Sequence, residues 1–542
     1  MRRWMLLGSL VAIATVSCGE SGGDDDAGTS GTAGTGGSGQ AGTGNSGTAG
    51  TGTSGSAGTA AGMAGNSSGG SGAGTAGRPP TGGSAGTGTA GTGTAGTSIG
   101  GSASGAAGTG TAGSTGGTGA TTSCETEITI SSSTVSEKIA TVGIVEWATT
   151  VAGATAARID FGRDTTYEYS APVTTLAASN RTLLLGMKQD TTYHYRIVVT
   201  SPAGECAGPD QTIMTGFLAS GLPVLDIETT DASKLYGGFL ITGQYSRAGT
   251  AGSPAYIIDK DGDFVWAYLL PHDVTGVRPS YDGQYMWINS AHVPEMANGA
   301  HVHRLTMDGL MDEDLSMKFV GQNHQMTVLP DETVAFYAYP ESGNCDDVKE
   351  YDPATGMVKL VTNSQTAHGA SGPCHLNAIE YFPPEDGAPD GGYLFSDLQN
   401  NNITKIKRSG EVIWVMGGET NQFMGMGTTW TNQHGIDYIG PDRFVFFNND
   451  ANPNNSKAIE MLLDLDAMTG ERAWTFDTGE KNAIMGDVQR LENGNTIVAC
   501  STQGVLQEVG ADGTVIEEIT FPSNGQYGYI QKRKTLYGPP PR

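Results

Sequence analysis

The chain has 542 residues and a formal net charge of −27 at pH 7. No basic cluster stands out against that charge, which argues against nucleic-acid binding, since such binding needs a concentrated cationic footprint. The acidity fits solubility outside the cytoplasm.

The first elements predict export. Arg2 and Arg3 precede an apolar run, Met5–Val16, that is too short to span a bilayer. The stretch Thr15–Cys18 has the form of a bacterial lipoprotein cleavage site, although Leu is commoner where Thr15 stands. Residues 1–18 are therefore expected to be a signal, with Cys18 as the lipidated residue. The expected location is a bacterial membrane, at its periplasmic face or the cell surface, touched through the lipid anchor alone. No other segment approaches the ~20 apolar residues a crossing helix needs.

Residues 19–123 are almost entirely Gly, Ser, Thr and Ala. Such a stretch has too little apolar surface to offset the entropy of ordering and predicts a disordered tether. Random-coil scaling gives it a span of roughly 55–60 Å.

Residues 124–215 read as short alternating strands with Gly, Asp and Pro breaks and no helical period, the pattern of a small β-sandwich. Asp190–Tyr195 resembles the tyrosine-corner region of a fibronectin type III module, and Trp147 its core tryptophan. His194, between Tyr193 and Tyr195, is read as a surface residue with no chemistry. The module could help the protein form a homodimer.

Residues 216–535 repeat. Each unit ends in a turn and a strand that often carries Trp, and the turn glycines are Gly262, Gly309, Gly356, Gly410, Gly470 and Gly513, at intervals of 43 to 60 residues. A glycine there supplies positive φ for a hairpin. Six such units predict an all-β fold, a six-bladed β-propeller behind the sandwich. Of the five cysteines after Cys18, Cys124 and Cys206 bracket the sandwich and are expected to pair. Cys345 and Cys374 are a second candidate pair, and Cys500 is left as a buried thiol.

Phosphate-cradling, zincin and nucleophile-elbow motifs are absent from the sequence, which disfavours nucleotide-dependent transfer, zincin and α/β-hydrolase chemistry. No cofactor is implied. Of nine histidines, His324, His375 and His434 precede their turn glycines by 32, 35 and 36 residues. Each is thus placed near the innermost strand of its blade, and three from equivalent positions would converge on the axis, around a small tetrahedral anion. A lone histidine there more often caps a blade and bonds to backbone. His301 and His303 share a strand face, with His292 nearby, a possible metal set. No carboxylate lies at a telling spacing, and no metal is assigned.

The segments Asn323–Glu332, His375–Ile379, Ile403–Gly418, Gln433–Asp437, Phe447–Asp450 and Gly486–Ile497 are similar, in order, to those of the arylsulfate sulfotransferase family. The resemblance implies a six-bladed propeller and sulfuryl transfer from an aryl sulfate to a phenolic acceptor without a nucleotide donor. It places His434 on the family's nucleophile, which would form a sulfohistidine. It places His324 and His375 on histidines that bind the sulfuryl oxygens, with Asn377 as a further oxygen or outer contact. The family carries an arginine where Leu398 stands here, so a fixed cation is missing. Arg278 or Arg490 could substitute from another blade. Two alternatives remain open: a non-catalytic surface propeller binding a small or glycan ligand, and a metal-assisted hydrolase using His292, His301 and His303.

Overall fold

The structure, a computed structural model, describes residues 122–540 apart from 246–251, 291–300, 341–344, 426, 450–454, 480 and 522–525. The export signal, Cys18, the tether up to residue 121 and His292 lie outside the described residues. Among the described residues no helix is long and apolar enough to cross a membrane.

The fold is all-β. Two sheets near the start face one another. One joins Ile128–Val135, Gly143–Thr149 and Asn180–Leu184; the other is built around Ala156–Gly162 and Thr192–Ser201. Alternation along Thr192–Ser201 turns Tyr193, Tyr195, Ile197 and Val199 onto Trp147, Ile159 and Phe161 in one core. His194 points the other way and meets Asp210 at 2.8 Å on a partly exposed face. Tyr193 Oη accepts a hydrogen bond from Lys188 N, five residues upstream, at 2.9 Å. The Cys124–Cys206 disulfide ties the start of this unit to its end.

Six antiparallel sheets follow as the blades of a propeller. Their innermost strands are Gln531–Arg533, Gly276–Pro279, Gln322–Val328, Leu376–Phe382, Gln433–Gly440 and Asp487–Arg490. The ring closes at both chain ends. The C-terminal strand Gln531–Arg533 pairs with Phe239–Gly243 in the first blade, and Asp226–Thr229 pairs with Val515–Thr520 as a fifth strand on the sixth. Closure of this kind protects the sheet edges.

The predicted turn glycines lie between the third and fourth strands of their blades. Gly262, Gly309, Gly356, Gly410 and Gly513 have φ between 67° and 90°. The fifth blade differs: Gly470 belongs to the strand Thr469–Asp477, and Met468, at φ 51°, makes the left-handed turn.

The innermost strands all start at one face, here called proximal, and end at the distal face. The sandwich docks distally, on the outer turns of the first two blades. Thr141 Oγ1 donates to Val265 O at 2.7 Å, Ser136 Oγ donates to Asp308 O at 2.6 Å, and Arg181 pairs with Asp308. Ile139, Val142 and Leu185 join the apolar core of those blades. The proximal mouth is thus left clear of the sandwich.

Candidate functional site

Blades three, four and five each break register near the start of the innermost strand, and blade five breaks again between Tyr438 and Gly440. The shifts near the start fall between Gln322 and Met326, Leu376 and Ala378, and Gln433 and Ile436. The innermost strands of the other three blades pair without a shift. A bulge re-aims the side chains beside it; His324 and His434 lie within theirs, and His375 comes immediately before the strand whose bulge is at Asn377. His324 takes φ 48°, rare for a residue with a Cβ.

The bulges bring the rings together at the proximal end of the axis. The His324 centroid is 4.9 Å from that of His375 and 6.4 Å from that of His434. His434 is 4% exposed, and the other two are partly exposed.

His434 has a defined protonation. Its Nδ1 lies 2.5 Å from Asn449 Oδ1. The orientation of that amide is fixed, because Asn449 Nδ2 donates to Asn482 O at 2.6 Å and to Met485 O at 2.8 Å. Its oxygen must therefore face the ring and can only accept, so Nδ1 carries the proton and Nε2 keeps its lone pair. Burial pushes the pKa of His434 down to about 3; the Asn449 bond opposes this and His375 adds to it. The imidazole is neutral at any ordinary pH.

His375 is held through its backbone. Its N–H donates to Asp397 Oδ1 at 3.0 Å, and the next N–H, of Leu376, donates to Asp346 Oδ2 at 2.7 Å. Burial pushes Asp346 up to about 7. Burial would also raise Asp397, but hydrogen bonds from His368, the His375 N–H and Asn400 outweigh it and hold the group low. Desolvation lowers the pKa of His375 itself. Cys374, the preceding residue, forms the predicted disulfide with Cys345. His368, Cys374 and Asp397 cluster closely enough to suggest a metal set, but the disulfide withholds the thiolate such a set needs. Cys500 is buried and in no disulfide.

Asn377 is wholly buried, and its Nδ2 donates to Gln433 O at 2.7 Å. It ties the fourth blade to the residue before His434. From the opposite side of the ring, Tyr529 Oη donates to Asn377 O. This buried tyrosine crosses the axis beneath the histidines.

A separate cavity of about 330 Å³ occupies the distal part of the channel, with Arg278, Gln325, Glu380, Asp437, Asp487 and Arg490 among its lining residues and none of the three histidines. Arg278 and Arg490 belong there. Arg490 is paired with Glu460, and Arg278 donates to Val277 O and lies 3.9 Å from Asp487. Leu398 follows the strand Gly392–Asp397, and its N–H donates to His375 O at 2.9 Å. A cation does come within one residue of His434: Lys481 Nζ donates to Asn449 O at 3.1 Å.

Sequence reasoning missed Asn449, Asp397 and Asp346. The run of polar residues ending the buried strand Arg443–Asn448 was the available signal for the first.

Residues 257–522 match the protein family described as arylsulfotransferase (ASST). No curated protein matches the chain at a comparable level. Among solved structures, TolB from Acinetobacter baumannii is 13% identical with a TM-score of 0.38, covering 64% of this chain and 80% of its own. A streptogramin B lyase is also 13% identical, with a TM-score of 0.35, covering 56% of this chain and 90% of its own. A virginiamycin B lyase from Staphylococcus aureus, in complex with quinupristin, is 15% identical with a TM-score of 0.33, covering 54% and 88%. Likenesses this distant carry no functional argument.

Proposed function

The region 257–522 of this chain belongs to the arylsulfotransferase (ASST) family, and from that premise we propose that the protein moves a sulfuryl group from an aryl sulfate to a phenolic acceptor through His434. The observation that carries this reading is the fixed Nδ1–H tautomer of a buried, neutral His434.

In the first step the Nε2 lone pair attacks sulfur and an N–S bond forms. The S–O bond to the aryl group breaks, and its electron pair leaves on the phenolate, which takes a proton from solvent. Asn449 keeps the Nδ1 proton in place and stabilises the positive charge the ring gains. In the second step an acceptor phenol loses its proton to solvent, its oxygen attacks sulfur, and the N–S bond returns its pair to Nε2. This is ping-pong covalent catalysis. The nitrogens of His324 and His375 would face the sulfuryl oxygens, where donors set in advance lower the barrier. Asn377 acts from behind, holding the strand that carries His434. No cofactor enters either step.

Leu398 supports a second reading, a propeller that binds a small or glycan ligand without reaction, because the family's arginine is absent beside His375. We favour transfer, with Lys481 as the neighbouring cation. We further propose that residues 1–18 are an export signal and Cys18 a lipid anchor, which would put the activity outside the cytoplasm with a fibronectin III-like sandwich between tether and propeller.

Release of phenol from a chromogenic aryl sulfate, with and without a phenolic acceptor, tests the reading. Release that rises with acceptor and vanishes in His434→Ala is expected. Folded protein that binds an aryl sulfate but never releases phenol would sink transfer in favour of binding.

A further inference from the structure

Three further imidazoles meet on the second blade, outside the channel. His272 lies in the segment leading into the innermost strand Gly276–Pro279, and His301 and His303 share one face of the strand His301–Thr306. The His272 ring stacks on His301 with centroids 3.9 Å apart, and its centroid is 5.2 Å from that of His303. All three belong to the proximal face, where the segment before an innermost strand meets the start of the third strand.

His303 is 8% exposed. Its Nδ1 meets Asp312 Oδ1 at 2.7 Å, and the same carboxylate accepts from Tyr268 Oη at 3.0 Å. The carboxylate puts the proton on Nδ1, so His303 Nε2 presents a lone pair. That Nε2 is buried and has no hydrogen-bond partner among the described residues; His272 Nε2 is in the same state. A buried polar atom left unpaired costs about 1–3 kcal/mol, and a ligand shared by the two rings would remove both costs.

We propose that His272, His301 and His303 bind one first-row divalent transition cation of the zinc type, with Asp312 orienting His303 from outside the coordination sphere. Imidazole donors select Zn, Co, Ni or Cu over Ca or Mg. Three histidines leave a fourth position for water, and a carboxylate behind a ligating histidine is the usual outer support of such a site. The nitrogens of the three rings are not drawn within 4.8 Å of one another as those of His368, Cys374 and Asp397 are, so metal–nitrogen bonds of about 2.0–2.1 Å require the rings to converge and the stacked pair to fan apart. His272 can do so, because it stands in a connecting segment, whereas His303 is already held by Asp312. The site is independent of the sulfotransfer reading.

Cobalt titration of the full chain, stripped with chelator under oxidising conditions, tests the proposal. One equivalent of Co²⁺ per chain is expected, with visible d–d absorption that Zn²⁺ abolishes. His272→Ala and His303→Ala should each weaken binding at least tenfold, and Asp312→Asn about 10- to 100-fold. His434→Ala should bind cobalt as the parent does. His272→Ala alters only a connecting segment, so it remains informative should His303→Ala fail to fold. Absence of saturable one-to-one binding at about 100 μM metal would overturn the site. So would binding that survives both histidine variants or is lost instead in Asp397→Asn.

Discussion

A single amide decides which nitrogen of His434 can react. Asn449 offers its oxygen to Nδ1 because its nitrogen is spent on two backbone carbonyls. Asn449→Ala should therefore fold normally yet lose roughly 10²-fold in the rate of phenol release, the size typical of a lost proton partner. Asn449→Asp keeps the acceptor but sets its second oxygen against the carbonyls of Asn482 and Met485, so it should restore part of the rate, and its negative charge should move the acid limb of the pH profile upward. A merely structural asparagine would leave that limb unchanged. The parent should keep its burst of phenol release at pH 5, where a free imidazole is mostly protonated, because the folded His434 pKa is about 3 against an ordinary 6.5. The sign for stability is opposite in use: between those two values the unfolded chain takes up a proton that the folded ring refuses, so acid destabilises the fold through His434 in that window. A urea midpoint that falls less from pH 6.5 to pH 4 in His434→Gln than in the parent would show it. The three histidines were legible in the sequence, because their offsets from the turn glycines are so alike. Asn449 was not, since its role depends on carbonyls of Asn482 and Met485, more than thirty residues later. His272 was invisible for the same reason: spacing joined His301 and His303 to His292, while the fold brings them to a histidine from before the innermost strand.

The strand is the scale at which the site is aimed. A one-residue slip on a pleated strand flips every later side chain to the other face; blades four and five carry such a slip beside their histidines, and blade three carries two extra residues around His324. Periodicity cannot reveal these bulges, because they appear only as disagreement with a partner strand. The fifth blade adds a steric condition. Gly435 follows His434, and a Cβ there would stand 2.1 Å from Asp487 Oδ1 and 2.6 Å from Asp487 Cα. The second distance is to backbone, which cannot swing away, so blades five and six approach this closely only over a glycine. Gly435→Ala should cost about 2–4 kcal/mol, as an overpacked core position does. Unfolding of Gly435→Ala in urea at the parent's midpoint would show that the two strands can part without loss.

At the scale of the molecule, six blades were countable because each outer hairpin carries its own turn signal, five of them glycines with positive φ. The closing strand was not countable: Gln531–Arg533 is three residues long and carries no pattern of its own. The alternating strands of the sandwich were readable, but their place against the blades was not, because it depends on charges that meet only in the fold. Lys188 Nζ lies 3.2, 2.7 and 2.6 Å from carboxylate oxygens of Asp259, Asp261 and Asp263 on the outer turn of the first blade, and Arg181 pairs with Asp308 on the second. Burial would lower the pKa of Lys188, but the three carboxylates outweigh it and hold the ammonium well above its usual range. Without Lys188 those carboxylates repel one another with no counter-charge. The apolar contact of Ile139, Val142 and Leu185 works in parallel and does not weaken with salt, whereas partly exposed ion pairs do. The two contributions can thus be separated. A Lys188→Ala, Arg181→Ala double variant should lose about 1–3 kcal/mol at low ionic strength, with the deficit shrinking as salt rises. It should also melt in two steps where the parent melts in one. A double variant that keeps a single transition at the parent's temperature in low salt would assign the docking to the apolar contact alone.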